Sequence, residues 1–343
     1  MIMKLYSFAF GMGTRDSQNN WLEVYYPQPL LQPDHEWLER VASVAGYSRG
    51  NATIELDREQ LQDLQNSLGA DSGAGKLLGI LKQSTRPVVA VFLAEDLKPE
   101  TVPEVYLKLH LLSHRLVKPH TTNLDGMFAV LPNVAWTSQG AIAIAELPQR
   151  QSEARAMGQT LEVNSVDKFP KMTDYVVPEG VRIADTARVR LGAYVGAGTT
   201  VMHEGFINFN AGTEGKAMIE GRITAGVMVG EGSDLGGGAS ILGTLSGGGK
   251  VLVSIGRDSL VGANAGVGFP LGDRCIVEAG LYVTAGTKVT LLDQESKMAG
   301  IVKARELAFK NDLLFRRNST TGAVECLTNK TRVELNTELH AHN

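Results

Sequence analysis

Cysteine is nearly missing from this chain. Of 343 residues only Cys275 and Cys326 are cysteines, and no Cys-x-x-Cys pair occurs. A disulfide framework and a paired-thiol redox motif are therefore excluded, and the usage suits a reducing cytosol, so a cytoplasmic protein is expected. Basic charge is not in excess either. A formal net charge of -4 lacks the electrostatic footprint of a nucleic-acid or anionic-membrane binder. Apart from the N-terminus, the longest apolar run, Val88 to Ala94, falls far short of a membrane span. The apolar opening from Met1 to Phe10 runs into Gly11-Met-Gly-Thr-Arg-Asp without an Ala-x-Ala cleavage site, and reads as a first strand rather than a signal peptide.

What the chain does have is glycine, 38 residues in all, concentrated where aliphatic residues recur every six positions. The beat runs through Ile183, Val189, Val195, Val201 and Ile207, with Ile219 a doubled step later. After a frame shift it resumes at Val229, Leu235 and Ile241, then at Ile255, Val261 and Val267, and last at Leu271, Val277, Val283 and Val289. A period of six is neither the 3.6 of a helix nor the 2 of a plain strand; it is the mark of hexapeptide repeats stacked as a parallel β-helix. One aliphatic side chain per hexad points inward, and small residues such as those of Val195-Gly-Ala-Gly-Thr-Thr allow tight corners. Such regular apolar spacing excludes a Gly-rich disordered segment.

Ahead of the repeat the pattern is mixed α/β. Trp21 to Tyr26 and Pro87 to Leu93 read as strands, and Asp34 to Ala45 and Asp57 to Leu68 as amphipathic helices opened by acidic caps. Ala70 to Gly75 is a small-residue linker or helix start. Pro99 to Val117 reads as a longer helix with Val105, Leu107, Leu109, Leu112 and Leu116 on its apolar face. His110 and His114 stand one turn apart on it, with His120 beyond. A zinc site of the zincin type would require a Glu beside the first His, and beside Lys108, Arg115 and Lys118 the preferred reading is packing and surface residues. Pro148 is placed to open a helix, and Val163 to Tyr175 is a connector. Past the repeat, Glu295 to Lys310 reads as a helix, Leu313 to Leu327 as a hairpin turned at Thr321-Gly322, and Thr331 to His340 as a final short helix. The expected division is 1–175 for the α/β domain and connector, 176–292 for the β-helix, and 293–343 for a helix and hairpin extension.

A regular β-helix has flat sides, so chemistry is expected where the rhythm breaks. Three breaks occur: Glu204 to Glu220, Asp234 to Gly249 with two triple-glycine runs, and Phe269-Pro270. The first gathers Glu204, Asn208, Asn210, Glu214 and Glu220 ahead of Arg222. Such a group suits either a general base or nucleophile with its supporting shell or ordinary solvent-facing charge. The glycine runs lack the Gly-Lys-Ser/Thr ending of a phosphate-binding loop. Arg316 and Arg317, with Lys303 upstream, suit the phosphates of a large anionic cofactor or plain surface charge.

Longer motifs narrow the choice. Phe206-Ile-Asn-Phe-Asn-Ala-Gly-Thr, Met218-Ile-Glu-Gly-Arg, Gly232-Ser-Asp-Leu-Gly-Gly-Gly-Ala-Ser, Gly243-Thr-Leu-Ser-Gly-Gly-Gly and Val277-Glu-Ala-Gly-Leu-Tyr-Val-Thr-Ala-Gly-Thr resemble tetrahydrodipicolinate N-succinyltransferases of the long form. Lys168-Phe-Pro-Lys-Met-Thr-Asp-Tyr-Val and the stretch from Lys303-Ala-Arg-Glu-Leu to Leu314-Phe-Arg-Arg-Asn-Ser extend the likeness, which is strong over roughly residues 165–327 and loose before them. The resemblance implies a left-handed β-helix and a homotrimer. It also implies succinyl transfer from succinyl-CoA to the amino group of L-2-amino-6-oxopimelate, a step toward diaminopimelate and lysine.

By the same resemblance Glu220 is the catalytic carboxylate, acting either through an acyl anhydride or as a base on the amine. Arg222 holds a substrate carboxylate. Gly237, Ser240 and Ala263 line the acyl-CoA groove, Gly243 offers a backbone N–H to the thioester oxygen, and Glu278, Ala279 and Gly286 continue the groove. Lys303 and Arg316, Arg317, Asn318 and Ser319 contact the nucleotide end of CoA. The family's axial magnesium uses two acidic positions; the first falls on Glu204, but the second falls on Ala187, so the metal is expected only if three copies of Glu204 suffice.

Other readings remain. His203, the only histidine in the repeat, is the candidate base of a different hexapeptide acetyltransferase. A γ-class carbonic anhydrase would need three histidines in or near the repeat for its zinc. A trimeric β-helix serving only as a binding module would lack the carboxylate at 220 or the basic cluster at 316–317, and both are present.

Overall fold

The computed structural model describes residues 4–243 and 251–328; the proposed helix from Thr331 to His340 and the second triple-glycine run lie outside them. The described chain forms two compact units. The first runs to Leu116 and includes Thr121–Pro170; the second takes Val117–His120 and the residues from Lys171.

In the first unit an antiparallel sheet runs in the order Trp21–Tyr25, Ser7–Arg15, Val88–Leu93, Ala52–Glu55. Helices His35–Ala45, Arg58–Leu68 and Gly73–Leu81 pack with it around Phe8, Phe10, Leu38, Leu64, Leu78 and Phe92. The acidic caps act as expected: the Asp34 carboxylate accepts the Trp37 N–H, and Asp57 accepts the Gln60 N–H in a reciprocal capping box. Val88–Leu93 is buried along its whole length, as an uninterrupted apolar run in a central strand must be.

The longer helix is Val102–Ser113 and every residue in it is buried. It has no polar face, so the stripe read from its sequence was too narrow, and Leu116, beyond its end, is exposed. Lys108 is fully buried; its ammonium donates to Asp96 Oδ1 at 2.5 Å and to the carbonyls of Leu97 and Asn123, which is how a buried charge is tolerated. His110 bridges strand and helix: Nε2 accepts the Tyr26 N–H at 3.2 Å, which leaves Nδ1–H to donate to the Tyr106 carbonyl at 2.7 Å. That arrangement fixes a neutral imidazole. With His114 stacked on it at 6.1 Å, the pair is packing, as the sequence suggested. Val134–Thr137, Gly140–Ala143 and Val163–Asp167 make a small antiparallel sheet beside the helix Leu147–Ala156. The segment read as a connector therefore contributes a strand, followed by a short 3-10 turn at Met172–Asp174.

The second unit is a parallel β-helix with three faces. Tyr194–Val195, Gly212–Thr213, Met228–Val229 and Ser254–Ile255 build the first face. Arg182–Ile183, Thr199–Val201, Ala217–Ile219, Ser233–Leu235, Leu260–Val261 and Ile276–Val277 build the second. Phe206–Ile207, Arg222–Ile223, Ser240–Ile241, Gly266–Gly268 and Tyr282–Thr284 build the third. All the hexad aliphatics are buried except Ile183 at the open end. The doubled step after Ile207 is filled by Thr213, whose hydroxyl accepts the Gly196 N–H and lies 2.7 Å from Thr199 Oγ1; Thr199 in turn reaches the Gly215 carbonyl. Coils approach closely at Gly212, where a Cβ would fall 1.8 Å from the Tyr194 carbonyl oxygen. The frame shift is a shortened corner: only Glu220, Gly221 and Arg222 separate Ile219 from Ile223, where Met202 to Phe206 separate Val201 from Ile207.

The chain after the repeat differs from the reading above. Met298–Lys303 is a strand paired antiparallel with Lys288–Leu292, and only Ala304–Leu307 makes a short 3-10 turn. Gly300 weakens a helix here, Ile301 and Val302 favour a strand, and the open end of the sheet offers unpaired backbone. The hairpin is present: Leu313–Arg317 pairs with Val324–Thr328, with Gly322 at φ 74° in the turn. Its first strand adds to the second face beside Ile276–Val277, so that Phe315 occupies the next inward position after Val277 and packs edge-on against Phe269. Among the described residues no helix is long and apolar enough to cross a membrane.

The neutral His110 predicts an acid sensitivity. Burial lowers its pKa from 6.5 to about 3, so its contribution is complete above pH 6.5 and is lost as pH falls toward 3. Between pH 6.5 and 5 the first unit should lose about 2 kcal/mol from this group. Urea unfolding should show His110→Leu weaker near pH 7, because the Tyr26 N–H is stranded, yet flatter between pH 7 and pH 5. Parallel pH dependence in the two proteins would contradict the assignment.

Candidate active site

Coil-to-coil hydrogen bonds place Glu220 at the shortened corner between the second and third faces. Its backbone N–H donates to the Leu235 carbonyl at 2.9 Å, and the next rung runs from Gly236 to Val261. The side chain is half-buried. Two carboxylates converge over Gly237: a Cβ built there would stand 3.5 Å from Glu220 Oε2 and 4.0 Å from Glu204 Oε2. Glycine at 237 thus leaves an open surface beside both acids. The column continues through Ala263 and Ala279; Asn264 N–H donates to the Gly237 carbonyl, and Gly280 N–H to that of Ala263.

Arg222 leaves the corner onto the outer surface of the third face. Its guanidinium donates to Ser240 Oγ at 2.9 and 3.3 Å, which aims the fork while the side chain stays exposed. Phe206, Arg222, Ser240, Gly266 and Tyr282 share one register across successive coils, and the Tyr282 ring lies against Gly266, where a Cβ would meet it at 2.1 Å. Arg188 and Arg190 lie at the Phe206 end of this row, each 5.9 Å from the ring centroid. The sequence reading passed over them. The available signal was the pair of arginines flanking the inward-facing Val189.

The remaining residues fall into a second group. Glu278 Oε2 accepts the Arg317 N–H at 2.7 Å, and Arg317 caps the Gly322 carbonyl. Arg316 and Asn318 both donate to Glu325; the Asn318 hydrogen bond first, and then the Arg316 guanidinium, hold that carboxyl below its ordinary range. Ser319 lies exposed in the hairpin turn, Gly286 is exposed in the turn between Tyr282–Thr284 and Lys288–Leu292, and Lys303 is exposed at the end of Met298–Lys303. Gly243 stacks on Ala225, at the far edge of the third face from Glu220, so one chain does not bring its N–H beside that carboxylate. His203 is exposed and has no carboxylate partner among the described residues. Ala187 sits in a short turn capped by Asp185, and among the described residues no cluster of three or more His, Cys, Asp or Glu could hold a metal. Burial pushes both thiols up, Cys326 to about 12, so neither suits a nucleophile.

Comparison with known proteins gives a consistent result. Models described as the N-terminal and middle parts of tetrahydrodipicolinate N-succinyltransferase match residues 59–129 and 131–171, and a model of the hexapeptide repeat of succinyl-transferase matches 252–285. A 2,3,4,5-tetrahydropyridine-2,6-dicarboxylate N-succinyltransferase of Pseudomonas paraeruginosa is 63% identical over 100% of both chains. One of Vibrio cholerae is 58% identical over 98% of this chain and 99% of its own. A crystal structure from Campylobacter jejuni, described as a candidate 2,3,4,5-tetrahydropyridine-2-carboxylate N-succinyltransferase, superposes with a TM-score of 0.89 at 34% identity, covering 97% of this chain and 94% of that one.

The corner glycines are separable by mutation. Gly237→Ala should leave the thermal midpoint unchanged, because its Cβ meets only ordinary contacts. Gly236→Ala, with a Cβ 2.6 Å from the Ala263 nitrogen, should cost about 1–3 kcal/mol. Equal destabilisation of the two would show that Gly237 is kept for packing alone.

Proposed function

Because the chain belongs to the tetrahydrodipicolinate N-succinyltransferase family, we propose that Glu220 is the carboxylate at which its succinyl transfer takes place. The enzyme moves succinyl from succinyl-CoA to the amino group of L-2-amino-6-oxopimelate, the opened form of tetrahydrodipicolinate, in the route to diaminopimelate and lysine. The observation that carries the site is the half-buried Glu220, beside open Gly237 and two residues from an Arg222 aimed by Ser240.

The acceptor amine is protonated in neutral water and has no lone pair to offer. Glu220 takes that proton, and the free amine attacks the thioester carbonyl. The tetrahedral intermediate collapses with cleavage of the carbon–sulfur bond, and the second proton shed by the nitrogen is taken up by the departing sulfur, which leaves as CoA thiol while Glu220 gives its proton to solvent. Arg222 holds the carboxylate next to the amine through its planar fork. The open surface along Gly237, Ala263 and Ala279 gives the thioester arm room, with Ser240 bordering it and a neighbouring copy's far edge at Gly243 offering its N–H to the thioester oxygen. Glu278, Gly286, Lys303 and Arg316 to Ser319 form the nucleotide end, where the cations meet phosphate.

We place the enzyme in the cytoplasm as a homotrimer with a left-handed coil, as membership of the family implies, a neighbouring copy supplying the second wall of the groove. One carboxylate per chain does not make a magnesium site, which needs near-octahedral oxygen donors. Three Glu204 side chains brought together on an axis would supply half of them, water the rest, and the ion would hold the chains together rather than take part in the transfer.

Thiol release from succinyl-CoA in the presence of acceptor should fall by about 10³-fold or more in Glu220→Gln, with acetyl-CoA a poor donor for the wild type. Full activity in the variant would return attention to His203. Succinyl-CoA alone should release no thiol; a burst of one equivalent per site without acceptor would favour the acyl anhydride over the base. Sedimentation should give three times the 36.8 kDa chain mass.

A further inference from the structure

The acceptor carries a carboxylate at each end of a seven-carbon chain, and one arginine holds only one of them. We propose that Arg188 binds the far carboxylate, forming with Arg222 a two-point clamp whose span sets the length of the acceptor. The inference rests on the succinyltransferase reading above and extends it to a residue that reading does not use.

Register puts the two arginines in one row. Val189 bridges Ile207, and Ile207 pairs with Ile223, so Arg188, Phe206 and Arg222 take the same outward position on successive coils. Two coil steps separate the arginine backbones by about 10 Å. An extended seven-carbon chain spans about 7 Å between its end carbons, at the ~1.2 Å gained per bond, and its carboxylate oxygens reach beyond them to two guanidinium groups that lean one coil the same way, Arg188 onto Glu204 and Gly205 and Arg222 onto Ser240, and so keep the spacing of their backbones. Arg188 is held for this. Its guanidinium donates to the carbonyls of Glu204 at 2.7 Å and Gly205 at 3.4 Å, one coil before Glu220, and lies 5.9 Å from the Phe206 ring centroid.

Those two hydrogen bonds leave donors of the guanidinium for a ligand. Neither Arg188 nor Arg222 has a carboxylate partner among the described residues, so the row presents two uncompensated cations with an aromatic ring between them. Phe206 offers the apolar floor on which the acceptor's methylenes lie. Arg222, adjacent to the Glu220 corner, takes the carboxylate beside the amine, and Arg188 takes the other. Arg190, also 5.9 Å from the ring centroid, is tied to Asn208 Oδ1 at 3.2 Å.

Steady-state kinetics on the wild type, Arg188→Gln and Arg188→Lys tests the clamp with two acceptors, L-2-aminopimelate and L-2-aminoheptanoate, which lacks the far carboxylate. The wild type should favour the diacid by about 10–100-fold in kcat/KM, the worth of a charge-assisted contact. Arg188→Gln should raise KM for the diacid by a similar factor, leave KM for succinyl-CoA unchanged and abolish the preference, while Arg188→Lys keeps part of it. A diacid preference surviving in Arg188→Gln, or a loss falling on succinyl-CoA or equally on both acceptors, would overturn the clamp. No turnover by the wild type would overturn the reading beneath it.

Discussion

The backbone ladder between coils is the interaction on which the second unit depends. Each strand of two or three residues bonds to its counterpart one coil away, as from Glu220 to Leu235 and from Gly236 to Val261. Short strands gain little singly, so stability accumulates through stacking. The ladder also fixes lateral position. Residues far apart in sequence become neighbours in a column, and every functional arrangement described above is such a column or row. Glu204, Glu220 and Gly237 share a corner; Phe206, Arg222, Ser240, Gly266 and Tyr282 share a face.

Much of this was readable from the sequence because the inward beat has one physical cause, the burial of one side chain per hexad. Where the beat faltered the reading was weaker. Thr213 was skipped as a missing aliphatic, since a buried threonine is acceptable only with its partners, and Thr199 and Gly196 are distant in sequence. The frame shift before Val229 was visible, but not that it shortens the corner bearing Glu220. Arg222 and Ser240 were each picked out separately; their hydrogen bond follows from coil register.

Outside the repeat, local signals served where they were decisive and failed where tertiary context chose. Asp34 and Asp57 announced their helices. Met298–Lys303 lacks such a cap, and a waiting sheet edge claimed it as strand. The buried helix Val102–Ser113 could not be told from an amphipathic one by its leucines, because Lys108 carries a charge that belongs at a surface until Asp96 and the carbonyls of Leu97 and Asn123 are seen to satisfy it.

The hairpin at the end of the second face has a consequence for the molecule's fate in a crowded cell. A coil that stacks on its own copy would accept the coil of another molecule equally well, and nothing in the hexad itself says when to stop. Here Phe315 fills the inward slot that a further coil would claim, and Val324–Thr328 and Lys288–Leu292 run against the coil strands beyond it. The exposed final strand ends in Lys303, a charge that discourages edge-to-edge pairing. A solenoid without such a terminus would be a seed for fibres; this one has a defined length.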